Sequence, residues 1–190
     1  MKVIFLDHDG VICLSSEWGG RLKKQKKWGG RKLSMSMTSI PLEYRFDNFN
    51  KKAIEILNDV LEKTGAEIVV SSDWKLFADL EEMGEYYESQ GIIKKPIAFT
   101  PGLGHCSWHE GKEFVWLKEW DSQQCRAIEI QQYLVDHPEV THWVAIDDLN
   151  MGKDEPWKDW GLSNFVLTPR SNEGIKQSGI ADKLMRFLDA

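Results

Sequence analysis

A chain of 190 residues with 42% hydrophobic and 28% charged side chains has the size and balance of one ordinary globular domain with a sizeable core. No apolar run approaches membrane-spanning length, and the opening MKVIFLDHDG carries two aspartates where a secretory signal would need apolar residues. The net charge of −6 hides an asymmetry: Arg21, Lys23, Lys24, Lys26, Lys27, Arg31 and Lys32 crowd residues 21–32 with no acid among them, so the remaining body is acidic.

In chain order, residues 3–6 are a short apolar run ended by aspartates, as expected of a strand buried on both faces of a parallel sheet. Residues 15–48 are rich in Gly, Ser, Lys and Trp without convincing periodicity, and repeat WGGR at 18–21 and 28–31. They predict a departure from the fold, a long loop or small cap. A helix follows, capped by Asn48 or Asn50, with Ala53, Ile54, Leu57, Val60 and Leu61 as one stripe and Gly65 as its stop. Residues 67–70 predict a second strand, running into Ser71 and Ser72. Helical spacing of Leu76, Phe77, Leu80 and Met83 predicts a helix over 74–90, closed by Gly91, and 92–99 a third strand interrupted by Pro96.

Residues 100–121 predict a loop, and 122–137 a helix with Ile130, Tyr133 and Leu134 inward. Residues 143–146 predict a strand ending in Asp147 and Asp148, 165–167 the last strand, and 180–188 the closing helix. Strands alternating with helices predict an α/β domain with a doubly wound, mostly parallel sheet, spanning 1–190 with 14–48 as a small basic cap or insertion. The odd count of Cys13, Cys106 and Cys125 reads as reduced thiols of a soluble cytoplasmic protein.

In such sheets sites gather at the carboxyl ends of strands. Three predicted strands end in Asp7, in Ser71 and Ser72, and in Asp147 and Asp148. Asp7 and Asp9 can face one pocket because Gly10 permits a tight turn. Clustered carboxylates repel, and a hard divalent ion such as Mg²⁺ resolves that repulsion. A carboxylate held beside such an ion can attack phosphorus and form an aspartyl-phosphate. Taken singly, each aspartate could merely cap a strand end or helix; the ordered set favours chemistry.

VIFLDHDGV (3–11), IVVSS (68–72) and WVAIDD (143–148) together resemble the haloacid dehalogenase (HAD) superfamily. The resemblance implies a Rossmann-like phosphatase fold and assigns roles. Asp7 would be the nucleophile and Asp9 the general acid, then base. Ser71 would bind the phosphoryl group, with Ser72 as fallback. Asp7, the carbonyl of Asp9, and the Asp147–Asp148 pair would hold Mg²⁺, Asp148 directly and Asp147 through water. Arg126, opening a helix before the acidic pair, would supply the neutralising cation, with Lys75, Lys112 and Lys118 as rivals. SSDWK (71–75), TPGLG (100–104) and FVLTPRSNEGI (165–175) also resemble the HAD domains of multi-enzyme RNA repair proteins, which usually carry SSW with Arg where this chain has Asp73 inserted and Lys75.

The expectation is a Mg²⁺-dependent phosphohydrolase acting on a nucleotide or a nucleic-acid terminal phosphate. Lys23, Lys24, Lys26 and Lys27 would contact successive phosphates, and Trp18 or Trp28 a base. Alternatives are a phosphatase of another small metabolite and a non-catalytic nucleic-acid-binding protein of the same fold. His105, Cys106 and His109 lack further partners at zinc-ligand spacing and read as an ordinary loop. His8 points away from its flanking aspartates and reads as a packing residue. Trp108, Trp116, Trp120, Trp157 and Trp160 fit a base-stacking surface or a hydrophobic lid equally well.

Overall fold

Strand β1 (Lys2–Leu6) serves two cores because successive side chains of a strand point to opposite faces. Ile4 and Leu6 pack with buried residues of α3 (Lys51–Thr64), α4 (Leu80–Gln90) and α6 (Ile180–Asp189), whereas Val3 and Phe5 pack with those of α5 (Ser122–Asp136). That two-sided burial is why the run is apolar throughout. The remaining strands are β2 (Glu67–Val70), β3 (Ala98–Phe99), β4 (His142–Asp147) and β5 (Phe165–Leu167). The computed structural model describes residues 1–29, 36–102, 122–153 and 158–189. Its five strands form one all-parallel sheet in the order β3-β2-β1-β4-β5. The doubly wound α/β class is as expected. At the pole where β1 begins, Lys2 Nζ lies 2.9 Å from Asp189 Oδ1 at the end of α6.

Local signals explain most element boundaries. The Asn50 side chain accepts the Ala53 N–H at 3.3 Å to start α3, and Gly65 ends it at φ 70°, as its glycine requires. Each of Leu57, Val60 and Leu61, fully buried on the α3 stripe, contributes about 1.5–3 kcal/mol.

Two expectations are corrected. The helix foreseen over 74–90 is α4 preceded by a separate 3₁₀ turn, Asp73–Leu76. Asp79 and Glu82 form a capping box, with bonds of 2.8 and 3.2 Å, and this resets the helix start. The strand foreseen over 92–99 is two residues long, because pairing begins only after Pro96, which has no N–H to give. Of the described cysteines, Cys13 is a free buried thiol.

The 15–48 excursion contains α1 (Gly20–Trp28), a 3₁₀ turn (Met37–Ser39) and α2 (Leu42–Arg45). Helix α1 gave no apolar stripe because the only side chain it buries is Gln25, which donates to Tyr44 O at 2.9 Å. Its lysines and glutamine are good helix formers, and Lys26 and Lys27 sit at the negative end of its dipole. Buried Arg45 fastens this excursion to α4, with Nη1 at 2.7 Å and Nη2 at 3.0 Å from the Glu82 carboxylate and further bonds to Ile40 O and Phe77 O. Among the described residues no helix is long and apolar enough to cross a membrane.

Candidate active site

Strand order runs outward from β1 through β2 to β3, then restarts on the other side with β4 and β5. The crevice at that reversal, above the strand carboxyl ends, is where such sheets bind ligands. Leu6 pairs with Val70 on one side and Ile146 on the other, so the next residues, Ser71, Asp7 and Asp147, form a row across the three central strands. The ladder continues into that row: Asp7 N–H donates to Ile146 O (3.1 Å) and Ser71 N–H to Leu6 O (2.9 Å).

A tight turn follows Asp7. His8 O accepts from the N–H groups of Val11, Ile12 and Cys13, and Gly10 takes φ 71°. A side chain at Gly10 would collide with the Asp148 carboxylate packed on that turn. Buried Thr168, just beyond β5, pins the turn by donating its hydroxyl to Gly10 O at 3.2 Å.

Asp7, Asp147 and Asp148 each bring a carboxylate oxygen within 4.8 Å of the others. Arg126 Nη1 lies 3.1 Å from Asp7 Oδ1 and 2.8 Å from Asp147 Oδ2, and Nη2 lies 3.1 Å from Asp73 Oδ1. Asp147 Oδ1 also accepts the Leu149 N–H at 2.8 Å. Burial, then the Asp147 charge, push the Asp7 carboxyl well above the ordinary carboxylate range, and Arg126 opposes this. Burial raises Asp147, again against Arg126. Burial and the Asp147 charge raise Asp148 to about 6. For Arg126 the pull of burial is overcome by Asp7 and Asp147, which hold it charged. Three carboxylates, two of them buried, thus lie beside one guanidinium, an excess of negative charge that suits a divalent cation. The residues present fit a hard divalent cation by that donor chemistry.

The Asp9 carboxylate turns away from this cluster and accepts the Trp74 indole N–H at 2.8 Å. Contact with a cation would therefore fall to its main-chain carbonyl. Burial raises the Asp9 carboxyl, while bonds from Trp74 and the Cys13 thiol, and the Arg21 charge, lower it. Ser71 Oγ is buried without a hydrogen-bond partner among the described residues. Such an orphan costs about 1–3 kcal/mol, and a ligand oxygen would relieve it. Ser72 is buried as well, but lies one residue past the row and opens the turn through its carbonyl, which accepts Lys75 N–H at 3.2 Å.

Of the rivals to Arg126, Lys75 is described. Lys75 Nζ is taken by Glu129 Oε2 at 2.5 Å and Thr100 Oγ1 at 2.9 Å. Lys112 and Lys118 lie outside the described residues, as do Arg31, Lys32, His105, Cys106, His109, Trp108, Trp116, Trp120 and Trp157. His8 is fully buried, 2.6 Å from Tyr87 Oη through Nε2, and burial lowers it to about 3, so it packs as a neutral ring. Trp160 is half-buried against the α5 core, beneath Lys158.

In the basic segment, Lys24 donates to Asn48 Oδ1 at 3.0 Å, while Lys23, Lys26 and Lys27 are exposed. Arg21 lies at the start of α1, with its Nε 3.8 Å from Asp47 Oδ2. Trp18 is 47% exposed and Trp28 stacks on Tyr44 with rings 5.7 Å apart. Sequence reasoning missed the contacts of Trp74 with Asp9 and of Asp73 with Arg126. The run SSDWK stood out, but only the fold brings its last residues beside the first strand's carboxylates.

The arrangement is that of an open α/β domain with an acidic centre at its switch point. The chain belongs to the family described as the HAD domain in Swiss Army Knife RNA repair proteins, whose model matches residues 3–179. Among solved structures it is similar to a hydrolase, the haloacid dehalogenase-like family protein SP0104 from Streptococcus pneumoniae. That similarity covers 77% of this chain and 75% of the other, at 14% identity and a TM-score of 0.36. Comparison with curated proteins found no match.

Proposed function

We propose that this protein is a Mg²⁺-dependent phosphohydrolase of phosphate monoesters that works through a phosphorylated Asp7. The observation that carries the reading is the buried row of Ser71, Asp7 and Asp147, in which the Ser71 hydroxyl lacks a partner among the described residues and Arg126 lies 3.1 Å from Asp7. Asp7, Asp147, Asp148 and the Asp9 carbonyl would hold Mg²⁺. When bound, the ion supplies positive charge to the phosphoryl oxygens. Ser71 donates to one of those oxygens and Arg126 offsets charge on the reacting group. Asp7 attacks phosphorus, and the bond to the ester oxygen breaks as Asp9 gives that oxygen a proton. Water then attacks the aspartyl-phosphate, Asp9 taking its proton back, which releases phosphate and regenerates Asp7.

The exposed Lys23, Lys26 and Lys27 beside an otherwise acidic body favour a nucleotide or nucleic-acid terminal phosphate as substrate, and RNA repair proteins are named in the family's description. A cytoplasmic setting suits that reading. Acid-stable trapping of ³²P on the protein, followed by turnover on a generic phosphate ester, tests it. Wild type with Mg²⁺ should label and turn over, while chelator should abolish both and Ca²⁺ should support them poorly. The nearly isosteric Asp7→Asn should do neither while keeping its circular dichroism. Wild-type turnover by Asp7→Asn would sink the mechanism.

A further inference from the structure

Trp74 follows Ser71 by three residues, in a 3₁₀ turn, and is 4% exposed. Its indole stacks on Phe46 with centroids 4.7 Å apart and planes at 9°, and on Phe49 at 5.4 Å and 18°. The His8 ring leans on it at 4.7 Å. Those contacts fix the ring plane, and with it the direction of the one hydrogen-bond donor on the side chain. That donor meets Asp9 Oδ2 at 2.8 Å. Tryptophan is costly to bury unless its N–H has a partner, and here the partner is the carboxylate that turns away from the metal-binding cluster. Phe46 comes from the end of the excursion that follows β1 and Phe49 from just beyond it, so the same stack ties that excursion to Asp9.

We infer that Trp74 is a positioning residue: its clamped indole N–H holds the Asp9 carboxylate in the rotamer from which it exchanges a proton with the ester oxygen. The inference rests on the acid–base role proposed for Asp9. A fixed donor on Oδ2 restricts the rotamers open to the carboxylate that carries the proton. Cys13, also against Asp9, is a weaker donor on a smaller side chain and cannot substitute for this anchor.

The test uses full-length protein with Mg²⁺ and a series of phosphate monoesters running from p-nitrophenyl to simple alkyl leaving groups. A leaving group that departs readily as its anion needs little protonation, whereas an alkoxide needs it fully. Trp74→Phe keeps an aromatic ring in the stack and loses the N–H; a benzothiophene isostere of the indole at position 74 does so without changing volume. Both should lower kcat for alkyl esters by roughly 10- to 10²-fold, the worth of a hydrogen bond to a charged group. The p-nitrophenyl ester should change by less than about 3-fold, with KM steady, as follows if only proton transfer is impaired.

Asp9→Asn should show the same selectivity, more steeply. If Asp9→Asn slows all esters equally, the acid role of Asp9 falls and this inference with it. If Asp9→Asn is selective but the isostere slows every ester by one factor, or none, positioning by Trp74 alone is overturned. An isostere that is selective only for poor leaving groups supports it, whatever the stability of Trp74→Phe.

Discussion

Ser71 illustrates how a candidate site residue stands out through an unmet need. Its hydroxyl is buried and unpartnered among the described residues, which a residue chosen for stability alone would not be. Ser71→Ala removes the orphan and should leave the melting temperature unchanged or raised, while turnover falls by at least about 10-fold. Calorimetry beside steady-state kinetics checks both arms, and loss of stability together with activity would assign Ser71 to packing.

Asp148 gives the opposite case, a group whose charge burdens the metal-free fold. Its carboxyl stands at about 6 because of burial and the Asp147 charge, against about 3.9 unfolded. An acid raised in the folded state costs stability only once it ionises. The penalty is absent below about pH 4, grows through the interval and is complete above about pH 6. Metal-free Asp148→Asn should therefore melt above wild type at pH 8, and the gap should close towards pH 4. Thermal melts in chelator measure this, and a gap of constant size would assign the gain to packing.

At the level of elements, reading the sequence succeeded where one signal ruled. Asn50, the α3 stripe and Gly65 mark one helix completely, and β1 is recognisable because two cores demand an unbroken apolar run. It failed where tertiary contacts ruled. Helix α1 buries only Gln25 and so has no stripe to see, and Asp79 looks like any surface acid until Glu82 closes the box with it. The sites followed the same division. Asp7, Ser71 and Asp147 were legible because strand ends converge by topology, whereas Trp74 at Asp9 depends on how the turn after β2 folds back. Helix α1 also carries a prediction. Lys23→Ala, Lys26→Ala and Lys27→Ala combined should weaken oligonucleotide binding and flatten its salt dependence, because each removes a phosphate contact. Lys24 is left intact in that variant for its bond to Asn48. Activity on p-nitrophenyl phosphate should hold, and equal loss on both substrates would give the helix a folding role.

Across the whole molecule, the packed cores and the acidic centre occupy different parts of one sheet. The apolar faces fill two cores along the strands, while among the described residues the acidic cluster lies past their carboxyl ends. The other pole holds the pairing of Lys2 with Asp189, which brings the outset of the central strand and the tail of the last helix together. An attachment made there, whether a flexible tether, a bead or a fused module, leaves the candidate crevice facing outward.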